Sequence, residues 1–340
     1  MTDSLLVAAI ICMLFFSFTN GMKDGCNVMA TAVGSRSISR GRALAVVFLA
    51  EIAGPFLLGL PVALTVARGI LNIDRLVQGS TTLVLLLSGI TGAITWNIFS
   101  WSLRLPTSSS FSLVGGLIGP CLLVYGRTAV PWRIFTVKVI GALFLSPLAG
   151  MLAGYFIYKL MQRALAHASL KTNTALKRLQ YLSLVVLGIN HGTNDSQKAM
   201  GIIALLLLMA GKTSQLQIPL WVMLASVFSL VAGITMGGTG IIKTVGYGIT
   251  RLQPVHSLAS QASASCVLLL CNLTGAPVST TQIISSSVIG VGNAYRINHV
   301  RWRTINTILL SWIITIPAAA LLAVSIFFIL NKLLSGGIHP

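Results

Sequence analysis

Long apolar runs broken by short polar clusters dominate this chain of 340 residues. The runs cover 5–18, 43–66, 82–103, 111–125, 134–158, 179–189 with its continuation 199–210, 218–242, 262–273, 283–294 and 305–330. A membrane-spanning helix needs about 20 apolar residues. Several runs reach that length, whereas others hold only about 12 to 15 residues and stop at a polar, Gly- or Pro-bearing cluster. The pattern predicts an all-α polytopic membrane protein with about 10–12 membrane segments, in which broken or re-entrant helical hairpins accompany full spans.

The charge content excludes the soluble classes of protein. Only 8% of the residues are charged and the mean hydropathy is +0.89, whereas soluble domains carry about a quarter charged residues. A net charge of +18 would indicate nucleic-acid binding in a soluble chain. In a membrane chain the basic excess is typical of cytoplasmic loops, so we expect no nucleic-acid partner. The cysteines form no CxxC pair and no cluster with His or acidic residues, and we expect no cofactor.

The polar clusters occur twice at one fixed offset. Residues 20–27 match residues 191–198, since 195 − 24 = 171, and residues 106–110 match residues 277–281, since 279 − 108 = 171. A duplicated fold explains two gapless matches at one offset. We predict a first repeat over 1–158, a linker over 159–178 and a second repeat over 179–340.

Loop charges predict how the two repeats lie in the membrane. An odd number of crossings per half inverts the second repeat relative to the first. Thirteen basic residues then lie on one side of the membrane, six lie on the opposite side, and four lie within apolar sequence. The thirteen are Arg36, Arg40, Arg42, Lys159, Arg163, Lys171, Lys177, Arg178, Lys243, Arg251, Arg296, Arg301 and Arg303; the four are Lys23, Arg104, Lys138 and Lys198. The positive-inside rule makes the majority side cytoplasmic. We therefore predict a multi-pass cell-membrane protein with a cytoplasmic linker and both termini outside.

Acidic side chains at membrane depth are the first candidates for function, because burying them is costly. Asp24 and Asp195 occupy matched positions of the duplicated motif, and Glu51 lies within an apolar run. Asp, Asn, Ser and Thr supply hard oxygen ligands, so Asp24 and Asp195, with Asn27 nearby, are candidate Na⁺ ligands. For Glu51 two interpretations stay open, a packing ion pair and a protonatable coupling group.

The Ser- and Thr-rich clusters are the candidate anion site. Proline suits the first turn of a helix and Ser or Thr suits its cap, so each cluster predicts a half-helix whose backbone N–H groups and hydroxyls face an anion. Two such N-termini at the midplane would form an oxyanion site. The candidates are Ser108, Ser109, Ser110, Ser279, Thr280 and Thr281, with Asn194 beside them. Lys198 would either add positive charge for the anion or neutralise Asp195.

Two further features receive structural interpretations. His191 is expected to be a neutral, hydrogen-bonded interior residue, because its counterpart in the first half is Asn20. The glycine-rich stretch 237–244 lacks the adjacent Gly-Lys of a phosphate loop, and its glycines are interpreted as helix-packing contacts.

At these residues the sequence resembles the inorganic phosphate transporter (PiT) family of cation-coupled phosphate symporters, which carries a duplicated G-x-N-D signature and P-x-S-T-T clusters in two inverted halves. Gly192-Thr193-Asn194-Asp195 and the 277–281 cluster match closely, and the resemblance covers essentially the full chain. The short linker looks like that of prokaryotic members. The resemblance implies that the matched residues help to bind phosphate and cations. These are Asp195, Asn194, Ser279, Thr280 and Thr281, with Asp24, Asn27, Ser108, Ser109 and Ser110 in the first half.

The first half departs from this pattern. Lys23 stands where the family has Asn, and Ser109-Ser110 replace Thr-Thr. A fixed ammonium next to Asp24 would substitute for one bound cation, which predicts weaker Na⁺ dependence or proton coupling.

The sequence therefore predicts a secondary active transporter that imports inorganic phosphate with Na⁺ or H⁺ by alternating access. A sulfate permease of the same fold is the alternative. An anion channel is less favoured because it needs no buried Asp beside the anion site. An enzyme is not expected, because the duplicated clusters offer no asymmetric catalytic pair. The expected partners are phosphate or sulfate, the coupling cation and the bilayer, and homo-oligomer formation is left open.

Overall fold

The computed structural model describes residues 2–103, 105, 107–169, 171–237, 246, 248–250, 252–297 and 301–335. Some sequence-based assignments lie outside these residues. They are the loop or buried charges of Arg104, Lys243 and Arg251, the side chain of Lys171, the first proline of the duplicated cluster, Pro106, and residues 238–244 of the glycine-rich stretch.

The described residues fold into helices and contain no strand. The helices are α1 (Thr2–Asn20), α2 (Cys26–Gly34), α3 (Arg40–Leu58), α4 (Pro61–Gly69), α5 (Ser80–Ser102), α6 (Ser109–Tyr125), α7 (Trp132–Ile134), α8 (Ala142–Ala164), α9 (Lys171–Met209), α10 (Leu220–Met236), α11 (Pro254–Leu273), α12 (Thr280–Tyr295) and α13 (Trp302–Ser335). Two π-helical segments, Gly21–Gly25 and Phe135–Gly141, join α1 to α2 and α7 to α8. Helices satisfy their backbone polar groups internally except at their ends, which suits a bilayer.

Seven helical stretches within the described residues are long and apolar enough to cross a membrane. They are Thr2–Gly34, Arg40–Leu58, Ser80–Ser102, Ser109–Ala129, Trp132–Ala164, Pro254–Leu273 and Trp302–Leu333. Large apolar side chains point outward from them, for example Leu49 and Ile313, which are 68% and 67% exposed. Exposed apolar surface on this scale suits contact with lipid. The all-α polytopic membrane fold is confirmed, while the count of 10–12 segments stays a prediction.

Helix boundaries repeat at the offset found in the sequence. Adding 171 to the start of α6 gives 109 + 171 = 280, the start of α12, and 102 + 171 = 273 carries the end of α5 to the end of α11. Likewise 164 + 171 = 335 carries the end of α8 to the end of α13. The duplicated pattern therefore extends from motifs to helices, and the inverted orientation of the two repeats stays a prediction.

The two predicted repeats interlock through their last long helices. Helix α8 packs against α11 and α12, and α13 packs in the matched way against α5 and α6. Helix α3 lies along α9. Within 159–178 both flanking helices continue, since α8 ends at Ala164 and α9 begins at Lys171. The described part of the chain is thus one interwoven helical body, in which each repeat completes the packing of the other.

Only the first Asp motif interrupts its helix. A π-helical turn, Gly21–Gly25, separates α1 from α2, whereas α9 passes through Asp195 without a break. The short runs 179–189 and 199–210 predict a break at the second motif as well, and that prediction is wrong. Glycine lowers the stability of a helix, and the first motif has glycine at both ends of the turn. In the second motif Ser196 replaces Gly25, and its hydroxyl donates to the carbonyl oxygen of Gly192 at 2.6 Å within the helix.

Close contact between α3 and α9 depends on Gly192. A Cβ added there would lie 2.5 Å from Glu51 Cα, so we expect Gly192→Ala to lower the free energy of unfolding by about 1–3 kcal/mol through overpacking. Thermal melting of the purified protein in detergent measures this. Gly41→Ala is the matched control in α3, because a Cβ there meets nothing within 4 Å. Equal melting temperatures for the two variants would contradict the proposed close packing.

Candidate functional site

The two Ser- and Thr-rich clusters form the buried N-termini of α6 and α12. Ser108 Oγ accepts the N–H of Phe111 at 3.2 Å, and Ser279 Oγ accepts the N–H of Gln282 at 3.4 Å. Each serine is thus the N-cap of its helix, as the sequence predicts. Pro277 lies two residues before the cap, so the first-turn position expected for it is wrong. Both N-termini are buried, which places their unpaired backbone N–H groups inside the protein.

The two N-termini touch each other across the predicted repeats. Ser110 Oγ donates to the carbonyl oxygen of Val278 at 2.8 Å. The matched half-helices therefore meet at one place in the protein, with the positive ends of their dipoles close together.

Helix α12 connects the two Asp side chains of the duplicated motif. Thr280 Oγ1 donates to Asp195 Oδ2 at 3.2 Å, and Thr281 Oγ1 donates to Asp24 Oδ1 at 2.8 Å. Asn27 Nδ2 in turn donates to Thr281 Oγ1 at 2.8 Å. Because Thr280 and Thr281 are neighbours in the chain, both carboxylates lie beside the same helix N-terminus.

Asp195 is the most heavily contacted carboxylate of the site. Besides Thr280 it accepts a hydrogen bond from Asn20 Nδ2 at 3.3 Å, forms an ion pair with Lys198 and lies 3.1 Å from His191 Nε2. All of these side chains are buried. The Lys198 ammonium pairs with Asp195 here, which is the second of the two roles left open for it, and the role toward an anion stays a prediction.

Glu51 extends this network from α3. Its Oε1 lies 2.7 Å from His191 Nδ1, and both side chains are fully buried. His191 is interior, as expected, but both of its ring nitrogens face carboxylates. A neutral imidazole has only one N–H. Either the imidazole carries both protons or one carboxylate is protonated, so the interior position is as expected and the neutral state of the ring stays a prediction. The contact with His191 is compatible with both interpretations of Glu51, the packing ion pair and the protonatable group.

Lys23 points away from the Asp beside it in sequence. Its Nζ donates to Thr107 Oγ1 at 2.8 Å and to Asn97 Oδ1 at 3.2 Å. No Lys23–Asp24 ion pair forms within 4 Å in the described structure. Successive residues of a helix point about 100° apart, so adjacency in sequence does not pair their side chains.

Several buried polar atoms around the N-termini have no hydrogen-bond partner among the described residues. Two of them are donors, Ser109 Oγ and Asn97 Nδ2; three are acceptors, Asn20 Oδ1, Asn27 Oδ1 and Asn194 Oδ1. Buried polar groups are nearly always hydrogen-bonded, so a bound ligand or water would satisfy these atoms. Donors suit an anion and carbonyl oxygens suit a hard cation.

The structure brings together every residue that the sequence singles out for the site. It adds four that sequence reasoning missed, namely Asn20, Asn97, Thr107 and Asn272. Asn194 Nδ2 donates to Asn272 Oδ1 at 2.8 Å. Asn272 lies on α11, the helix that corresponds to α5 with Asn97 in the first half. An amide side chain within an apolar run was the signal available for Asn97 and Asn272.

Comparisons with known proteins cover nearly the whole chain. The model of the PHO4 phosphate transporter family matches residues 20–323. A probable low-affinity inorganic phosphate transporter of Bacillus subtilis is 34% identical over 97% of this chain and 98% of the relative. One of the same description from Rhizobium meliloti is 34% identical over 95% and 96%. A solved structure described as the sodium-dependent phosphate transporter has a TM-score of 0.89, with 23% identity over 97% of this chain and 100% of that chain. At that identity the likeness establishes the fold.

Proposed function

Because the chain belongs to the phosphate transporter family, we propose that it imports inorganic phosphate together with a cation by alternating access. The family resemblance read from the sequence is confirmed, and the family and its curated relatives are transporters rather than enzymes. One observation carries the proposal: the N-termini of α6 and α12 meet inside the protein beside the two Asp carboxylates of the duplicated motif.

Phosphate binds to the two N-termini in this proposal. A helix N-terminus presents N–H groups and a partial positive charge, and a tetrahedral oxyanion accepts hydrogen bonds in several directions. The hydroxyl of Ser109, whose Oγ has no partner in the described structure, supplies a further donor. Ser110, Thr280 and Thr281 would donate to phosphate on releasing their present acceptors. The ammonium of Lys198, three residues from Asp195, adds positive charge at the same place.

The coupling cation binds beside the phosphate. Asp24 and Asp195 supply negative charge, and the unpartnered amide oxygens of Asn27 and Asn194 supply neutral oxygen ligands. A cation between carboxylates and phosphate lowers the charge that must enter the protein interior, so cation and anion bind more favourably together than apart.

The interlocked helices supply the moving parts. Each predicted repeat contributes one N-terminus to the site, and a relative motion of the two repeats would open it to one side of the membrane at a time. We propose that the repeats are inverted, that both termini lie outside the cell membrane and that residues 159–178 face the cytoplasm, because the basic residues concentrate on the linker side.

Uptake of radiolabelled phosphate into proteoliposomes tests the proposal. We expect uphill accumulation driven by an imposed Na⁺ or H⁺ gradient, abolished when the gradient is collapsed, since coupling requires both ions on one carrier. Comparing the two gradients identifies the cation. Excess unlabelled sulfate should leave uptake intact. Downhill flux only would indicate a channel, and inhibition by sulfate together with uptake of labelled sulfate would indicate a sulfate permease.

A further inference from the structure

Lys23 is a buried cation in a pocket of neutral oxygen atoms. The side chain is 1% exposed, and no carboxylate lies within ion-pair distance of Nζ in the described part of the chain. A buried charge is costly unless other groups solvate it. Here Thr107 Oγ1 at 2.8 Å and Asn97 Oδ1 at 3.2 Å do so.

The surrounding hydrogen bonds aim these oxygens at the ammonium. Thr107 gives its hydroxyl proton to Ser100 Oγ at 2.8 Å, so its lone pairs remain for Lys23. Ser112 Oγ donates to Asn97 Oδ1 at 2.9 Å, which fixes the orientation of that amide. Hydroxyl and amide oxygens held in this way are the ligands that a hard monovalent cation prefers. The pocket therefore suits a cation, and the ammonium is the cation in it.

The matched residue of the second half differs by one charge. Asn194 stands 171 residues after Lys23, since 23 + 171 = 194, and donates to Asn272 Oδ1 at 2.8 Å and to the Ala276 carbonyl oxygen at 3.3 Å. Both residues thus donate to an asparagine on the helix before the Ser- or Thr-rich cluster. Asn194 keeps a buried Oδ1 without a partner in the described structure, whereas Lys23 offers no acceptor atom.

We propose that the Lys23 ammonium permanently occupies a monovalent-cation site of the first half, so that this half binds no coupling ion of its own. The inference rests on the proposed cation-coupled transport. A tethered charge returns with the empty carrier in every cycle, so it contributes to phosphate binding without consuming an ion gradient. The transporter would then move one cation fewer per phosphate than the same fold with a neutral amide at this position.

Binding of ²²Na⁺ to the purified protein tests the proposal. We expect Lys23→Asn to bind one more ²²Na⁺ per chain than the wild-type protein. The substitution removes the ammonium from the oxygen-lined pocket, and the asparagine side chain contributes one more oxygen ligand. Lys23→Arg keeps the charge and should match the wild type. Lys138→Asn removes an exposed lysine from another apolar run and should also match it. If Lys23→Asn does not fold, Lys23→Gln is measured by the same criterion.

A wild-type count of bound ²²Na⁺ in folded Lys23→Asn or Lys23→Gln would overturn the inference, as would an added ion in Lys23→Arg. The assay contains no phosphate and no gradient, so its result is independent of transport. An added ion without phosphate uptake by any form would leave the site standing and remove the proposed function. In active proteoliposomes, Na⁺ should stimulate Lys23→Asn more strongly than the wild type.

Discussion

Asp195→Asn is expected to lower gradient-driven phosphate uptake roughly 100-fold or more, the largest effect on transport of any single substitution considered. The carboxylate accepts from Thr280 and Asn20, pairs with Lys198 and faces His191. An amide of the same shape removes the negative charge and leaves the buried Lys198 ammonium without its partner. Coupling needs the negative charge that the amide lacks, and a 100-fold loss corresponds to about 2.8 kcal/mol, since each 1.4 kcal/mol is a factor of ten. Initial rates in proteoliposomes measure the loss.

The matched control for this variant is Asp74→Asn. Asp74 lies on an exposed turn, Ile73–Arg75, so the same chemical change should leave uptake at the wild-type rate. Gel filtration and thermal melting establish that Asp195→Asn is folded. Wild-type uptake by the folded variant would remove Asp195 from the transport site and, with it, the assignment of the duplicated motif to coupling.

The membrane fold and the general location of the candidate site can be predicted from the sequence alone. The apolar runs predict the helices, because a bilayer allows only backbone whose polar groups are hydrogen-bonded within the protein. The offset of 171 residues reports the duplication because matched residues keep matched positions, down to Ser108 and Ser279 as N-caps. Costly charges such as Asp24 and Asp195 indicate the candidate site because apolar sequence retains them only for function or pairing.

Side-chain partners could not be predicted in the same way. Lys23 and Asp24 are adjacent in sequence, yet one faces Asn97 and the other faces Thr281. The contact between Glu51 and His191 joins residues 140 positions apart, since 191 − 51 = 140, and neither residue has a matching ionisable group in the other repeat. Such contacts depend on how α3 packs along α9, which hydrophobic periodicity does not specify. Duplication therefore predicts the shared part of the site and misses what distinguishes the two halves.

The second large expected effect is on stability, and it concerns the contact between Glu51 and His191, which has no counterpart in the other repeat. His191→Leu is expected to lower the free energy of unfolding by about 3–5 kcal/mol, because it leaves the buried Glu51 without its partner. Glu51→Leu should cost less, because His191 keeps its contact with Asp195. In the double variant both ionisable groups are replaced, and leucine side chains of similar size occupy the two positions on α3 and α9. Its loss should be smaller than the sum of the two single losses by about 1–3 kcal/mol. Unfolding in mixed micelles titrated with sodium dodecyl sulfate measures all four proteins of the cycle.

An exposed ion pair is the control for this double-mutant cycle. Asp3 Oδ1 and Lys212 Nζ lie 2.7 Å apart, the same separation as Glu51 and His191, but their side chains are 72% and 48% exposed. Water solvates either partner when the other is removed, so Asp3→Asn and Lys212→Gln should show no measurable coupling. Additive losses at Glu51 and His191 as well would mean that the two groups do not stabilise each other. Their contact would then be a consequence of helix packing, and the α3 carboxylate would have no energetic connection to Asp195.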